Sequence, residues 1–173
     1  MLPRIDDVLQ QIASQKPTVY SSLDLFKGFW AIPLEKKSRK YTNIYSLKSG
    51  IPYRYYTLPM GLQSSPAHFQ RMALAIFHNK EYWHFLHLYV DDLLLTSENS
   101  EDHLMHPRQT LQTLRINNLM ANPSKAYLGQ STITYLGHEL TSDGVTISDD
   151  NVKTIKTLRY RKTNVHYRDY WDY

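Results

Sequence analysis

The chain has 173 residues, of which 42% are hydrophobic and 21% charged, with a net charge of +4 and no cysteine. That size suits one domain or a substantial part of a larger one, and the composition is that of a globular protein, with a charge that permits a polyanionic partner. The lack of thiols excludes disulfides, thiolate zinc sites and cysteine nucleophiles. No apolar run reaches the length of a membrane span, and the N-terminus lacks the basic and apolar regions of a signal peptide, so an intracellular soluble protein is the default expectation.

In chain order, "LPRIDDVLQQIASQ" predicts a helix, with Pro3 as a good opening residue and Ile5, Val8, Leu9 and Ile12 on one face. "TVYSSLD" reads as a strand ending at Asp24, and "FWAIPL", "KYTNIYSL" and "YRYYTLP" as further extended stretches. Ser65 is the expected cap of a helix opening at Pro66, whose core stripe is Phe69, Met72, Ala73, Ile76 and Phe77. "FLHLYV" and "LLLTS" then flank Asp91 and Asp92 as two strands of a hairpin. Glu101 and Asp102 favour a helix start, with Leu104, Leu111 and Leu114 at helical spacing behind them. "TITYLGHEL" and "VTI" read as short strands joined at "SDG", and Ser148 as the cap of a helix carrying Val152, Ile155 and Leu158. The order predicts an α+β fold with helices packed on an antiparallel sheet. The last fifteen residues, "RYRKTNVHYRDYWDY", hold Val165 among aromatics and charges and display no core face.

Asp91 and Asp92 stand inside a run that otherwise suits buried strand, where a bare carboxylate is costly. A hairpin turn explains them, since aspartate is a common turn residue. A metal site is the sharper alternative, because carboxylates from separate strands supply the hard oxygen ligands magnesium prefers. Periodicity does not choose between the two. His103 and His106 are three apart but lack further zinc ligands nearby. The run Lys36, Lys37, Arg39 and Lys40 suits phosphates or a solvated loop, and the aromatic and basic tail suits base stacking or disorder.

The motifs taken together do choose. "YVDD" between apolar strands, "SSLDLFKGFWAIPL", "RKYTNIYS", "YRYYTLPMGLQSSPAHFQRM" and "YLGH" occur in an order that resembles the reverse transcriptases of gypsy-type LTR retrotransposons, over residues 2–158. The resemblance implies a polymerase palm with part of the fingers: a partial fingers and palm over 1–147 including the primer-grip hairpin, the start of the connection to the thumb over 148–158, and an aberrant, disordered tail over 159–173. It implies RNA-directed DNA synthesis by two-metal phosphoryl transfer, using two Mg2+ ions or Mn2+ in their place. Asp24 and Asp91 match the carboxylates that bridge the metals, Asp92 their acidic neighbour, and the carbonyl of Leu25 a further metal ligand. Phe29 matches the aromatic that selects deoxynucleotides, and Met60 and Gly61 the segment beside the incoming nucleotide. Pro66 and Gln70 match residues along the template, Tyr89 and Val90 residues at the primer end, and Leu136, Gly137 and His138 the primer grip.

The partners implied are an RNA or DNA template with its primer, deoxynucleoside triphosphates and the remainder of a Pol polyprotein with ribonuclease H and integrase, without a membrane and within a cytoplasmic particle. The upstream fingers segment and the thumb lie outside the match, and Pro107 replaces an apolar helix residue. Two classes of function follow: a polymerase palm that needs those segments, so that the 173 residues alone give no primer extension and bind nucleic acid weakly, or an inactive retroelement remnant that at most binds nucleic acid.

Overall fold

Ile5, Val8, Leu9 and Ile12 share a helical face, and the chain forms α1 (Ile5–Gln15) there, with Asp6 and Asp7 at the positive end of its dipole. A computed structural model describes residues 2–148 together with 152 and 153. After α1 comes β1 (Val19–Asp24), ending as expected at the aspartate. Two short strands follow, β2 (Ile44–Tyr45) and β3 (Pro52–Tyr53), which among the described residues pair only with each other. Then come α2 (Ser65–Ile76), β4 (Leu86–Tyr89), β5 (Asp92–Ser97) and α3 (Ser100–Ile116). The chain continues through β6 (Tyr127–Gln130), β7 (Ile133–Tyr135), β8 (His138–Thr141) and β9 (Gly144–Ile147).

The central sheet has the order β4-β5-β1-β6, and its neighbouring strands all run antiparallel. Strand β5 lies inside it, and Leu93, Leu94 and Leu95 are all 0% exposed. Both faces of the sheet are covered, which is why an unbroken apolar run suits this strand. Leu93 and Leu95 pack with Phe69, Ala73 and Phe77 of the α2 region and with Leu114 of α3. Leu94 and Tyr20 pack on the other face with Val8, Leu9 and Ile12 of α1 and with Ile133, Tyr135 and Leu140 of the β7-β8-β9 sheet. Full burial of each such leucine is worth about 1.5–3 kcal/mol.

Several local expectations give way to tertiary packing. "FWAIPL" is not a strand: Lys27 turns left-handed at φ 54, Gly28–Ala31 form a 3-10 turn, and Phe29 packs on Phe69 with ring centroids 5.0 Å apart. Gly28 is required there, since a Cβ would stand 2.7 Å from the Phe69 ring. "KYTNIYSL" is a 3-10 turn over Arg39–Thr42 before the short β2, and in "YRYYTLP" only Tyr53 joins a strand, while Thr57 makes a bridge to Pro33. Ser64, not Ser65, holds the cap position of α2, because the Ser65 hydroxyl turns inward to the Pro59 carbonyl at 2.8 Å.

In α3 the inward face is His103, Thr110 and Leu114, while Leu104 is 76% and Leu111 41% exposed. The sheet presents hydroxyls to this helix. Ser21 Oγ lies 2.6 Å from His103 Nε2, and Ser97 Oγ lies 2.7 Å from both His103 Nδ1 and His106 Nδ1. "TITYLGHEL" is two strands, broken where Leu136 and Gly137 take φ values of 49° and 79°. Strand β6 was not expected; it lines the far edge of the central sheet. A first helical bond runs from the Val152 N–H to the Ser148 carbonyl at 3.1 Å. Ile155, Leu158 and the 159–173 tail lie outside the described residues.

Candidate active site

Antiparallel pairing of β1 with β5 places Asp24 directly opposite Asp92. The register is set by the run from Val19↔Ser97 to Leu23↔Leu93, so the leucine core fixes which carboxylates meet. Strands β4 and β5 are joined by the two-residue turn Val90–Asp91, with Val90 at φ 55 and Tyr89 opposite Asp92. The turn is tied to the end of β1, because the Leu25 N–H donates to the Asp91 carbonyl at 3.0 Å. Beyond it the Asn122 N–H donates to the Asp24 carbonyl at 2.7 Å, which brings the β6 approach alongside.

Lys125, just before β6, places its Nζ 3.1 Å from Asp24 Oδ2, with side-chain exposures of 63% and 21%. The hydrogen bond to Asp24, reinforced by the charges of Asp24, Asp91 and Asp92, holds this ammonium above its ordinary range. The Asp92 carboxyl is raised by burial first and then by the charges of Asp91 and Asp24, with Lys125 offsetting part of the effect. Repulsion among neighbouring carboxylates and attraction to one cation are the electrostatics of a site that draws positive charge.

A cavity of about 370 Å³ opens beside this cluster, lined by Asp24, Asp92 and Lys125 and by Tyr135 and Leu136 of the β7–β8 hairpin. The Tyr135 hydroxyl donates to the Asp92 carbonyl at 3.4 Å. Burial, with Asp92 and Tyr89 nearby, keeps that phenol protonated. The structure therefore gathers Asp24, Asp91, Asp92 and Leu136, with Leu25 adjoining. His138 Nδ1 lies 3.0 Å from the Leu136 carbonyl, within the same hairpin turn as Gly137.

Of the other sequence candidates, some border the carboxylate turn and others lie apart from it. Phe29 is half-buried against Phe69, Met60 and Gly61 are exposed before α2, and Pro66 sits in its first turn. Tyr89 and Val90 are half-buried at the carboxylate turn. Gln70, expected along a template, is buried with its amide bonded to that turn. His103 and His106 are engaged by serines.

Among the described residues no three potential histidine, aspartate or glutamate ligands are gathered into a ready-made metal cage. The donors nevertheless fit a divalent cation in kind: they are hard carboxylate oxygens, and a lysine ammonium already feels all three of their charges. Lys125 is the residue that sequence reasoning missed. Its only local signal was a basic side chain in the turn "NPSK", which resembles any solvated loop.

A profile described as "Reverse transcriptase (RNA-dependent DNA polymerase)" matches residues 2–140. The chain belongs to the reverse transcriptase family. This reverse transcriptase domain is 35% identical over 155 residues to the "Retrovirus-related Pol polyprotein from transposon 412" of Drosophila melanogaster, covering 90% of this chain and 12% of that polyprotein. It is 34% identical over 139 residues to "Polyprotein P3" of Commelina yellow mottle virus, covering 80% of this chain and 7% of that one. The domain thus spans a small part of the length of these relatives, which include both retrotransposon and viral polyproteins.

In fold, the foamy viral protease-reverse transcriptase solved with an RNA/DNA hybrid superposes with a TM-score of 0.80 at 23% identity, over 93% of this chain and 21% of that one. The α+β architecture expected from the motif order is therefore that of a reverse transcriptase.

Proposed function

We propose that the domain is the catalytic palm of an RNA-directed DNA polymerase from a gypsy-type LTR retrotransposon, adding deoxynucleotides to a primer 3′-hydroxyl. The observation that supports it is the meeting of Asp24, Asp91 and Asp92 at one end of the central sheet, beside a cavity walled by Leu136. The retrotransposon origin draws support from the match to transposon 412, which covers 90% of this chain, where that to the plant virus covers 80%. An inactive remnant is the less favoured reading, since all three carboxylates are present.

Asp24 and Asp91, with the carbonyl of Leu25, are the groups that would hold two magnesium ions, or manganese in their place, with Asp92 contributing less directly. Bound there, such ions supply neutralisation of the transferring phosphate and activation of the attacking oxygen. The residues of the chain do the rest by positioning. Lys125 balances the Asp24 charge. The Tyr135 hydroxyl bonds the Asp92 carbonyl and Leu136 walls the cavity, and a primer end would lie against the turn that Leu136 forms with Gly137 and His138. Phe29, braced by Phe69, is the proposed steric selector of the deoxyribose, with Met60 and Gly61 near the nucleotide and Pro66, Tyr89 and Val90 towards template and primer. The partners are then a primed RNA or DNA template, deoxynucleoside triphosphates and the ribonuclease H and integrase of a Pol polyprotein.

The test is extension of a labelled DNA primer on an RNA template with magnesium, by the domain expressed with its native flanking sequence. Asp24→Asn and Asp91→Asn should each lower the rate by ~10²-fold or more, as loss of a preorganised charge does at other active sites. Undiminished synthesis by either variant would overturn the assignment.

A further inference from the structure

Gln70 is 1% exposed and shares the inward side of α2 with Ser65, Phe69 and Ala73. Its Nε2 donates to the Leu88 carbonyl at 3.1 Å, and its Oε1 accepts from the Val90 N–H at 2.6 Å. Those two backbone groups belong to the side of β4 that faces away from β5. Strand β4 ends the sheet order, and Tyr89↔Asp92 closes the two-residue turn, so Leu88 and Val90 direct their groups outward. One carboxamide therefore meets them as the N–H and C=O of a single residue in a parallel neighbouring strand would. Without it, a part-buried N–H and C=O beside the turn would lose their partner.

The turn needs that support. Val90 is β-branched and sits at φ 55, a region that such side chains rarely occupy and that persists only when the surroundings over-determine it. The next two residues are Asp91 and Asp92. We propose that Gln70 is a positioning residue: its side chain acts as a substitute strand that holds Val90 left-handed and so sets how the two aspartates are presented. The inference rests on reading those aspartates as the working carboxylates. It assigns Gln70 to the catalytic turn rather than to a template strand.

The experiment is site-resolved amide hydrogen exchange on the 173-residue chain without metal, comparing wild type, Gln70→Met and Gln70→Met/Val90→Gly. Gln70→Met keeps length and volume while removing donor and acceptor. Exchange at Val90 and Asp92 should accelerate by ~10-fold or more relative to Phe69, Ala73 and Leu94, since local opening and global unfolding are separable in this measurement. Glycine adopts the left-handed region without strain, so the double variant should recover protection at Asp92 to within about threefold of wild type.

Equal acceleration at every core amide would make Gln70 a core filler and overturn the proposal. So would unchanged exchange, or failure of glycine to restore Asp92. Should Gln70→Met not fold, the double variant must fold where the single does not, and recovery of neither refutes the clamp. None of these readings needs a metal, so they can fail while primer extension succeeds, and the reverse.

Discussion

Replacing His87 with glutamine should remove most of one pH dependence of stability, because of where His87 sits. Its imidazole is 4% exposed within the sheet, with Nε2 3.1 Å from Thr96 Oγ1 and 3.2 Å from Gln15 Oε1. Burial pushes its pKa down to about 4, against an ordinary value of 6.5. Below the ordinary value the unfolded chain takes up a proton that the native fold refuses. Stability is therefore fully present above about pH 6.5 and is lost as the pH falls towards 4. The whole window amounts to about 3 kcal/mol, at about 1.4 kcal/mol per unit, a large share of the ~5–15 kcal/mol typical of a domain.

Urea unfolding of wild type and His87→Gln at half-unit steps between pH 7 and pH 4.5 measures this directly. The variant should lose stability at pH 7 but show a much shallower decline. His103 and His106 are also pushed down, chiefly by burial, and contribute in the same direction to both proteins. The difference between the two curves thus isolates His87. Parallel curves would refute the reasoning and return the acid sensitivity to α3.

Two further outcomes bear on the site and on α3. Asp92 is raised partly by Asp91, and a raised carboxyl loses stability as the pH climbs through the carboxylate range. Metal-free Asp91→Asn should therefore be more stable than wild type at neutral pH by up to ~1 kcal/mol, with the gain fading near pH 3; a less stable variant at pH 7 would contradict the repulsion. Pro107 lies inside α3 and offers no N–H to the His103 carbonyl. Pro107→Ala should raise stability by about 1–3 kcal/mol in urea at unchanged cooperativity, and no gain would mean that the helix has already accommodated the ring.

Much of the carboxylate site was legible because its signals are short-range. Apolar runs on either side of Asp91 and Asp92 announced a hairpin, and "TVYSSLD" announced a strand ending at Asp24. What could not be read was decided by partners distant in sequence. Leu104 and Leu111 form a respectable helical stripe, but α3 meets Ser21 and Ser97 and therefore turns His103 inward instead. "FWAIPL" has strand composition, yet seating Phe29 on Phe69 favours a tight turn. Lys125 acts through one polar contact and Gln70 through two, all with other elements, and periodicity carries no trace of such contacts.

The place of β1 between β5 and β6 bears on how the site comes into being. Asp24 acquires its cross-strand partner only when the chain from α2 through β4 has been laid down and β5 has slotted in beside β1. Closing so long a loop costs entropy before any contact rewards it, which makes this pairing a slow event in folding. Asp24 therefore remains apart from the adjacent Asp91 and Asp92 in early collapsed states, and the full set of three carboxylates is not available to a cation until then. Charge concentrates at this end of the sheet in the same step that seals the leucines of β5. The ion-attracting character of the domain is thus an index of its completed core.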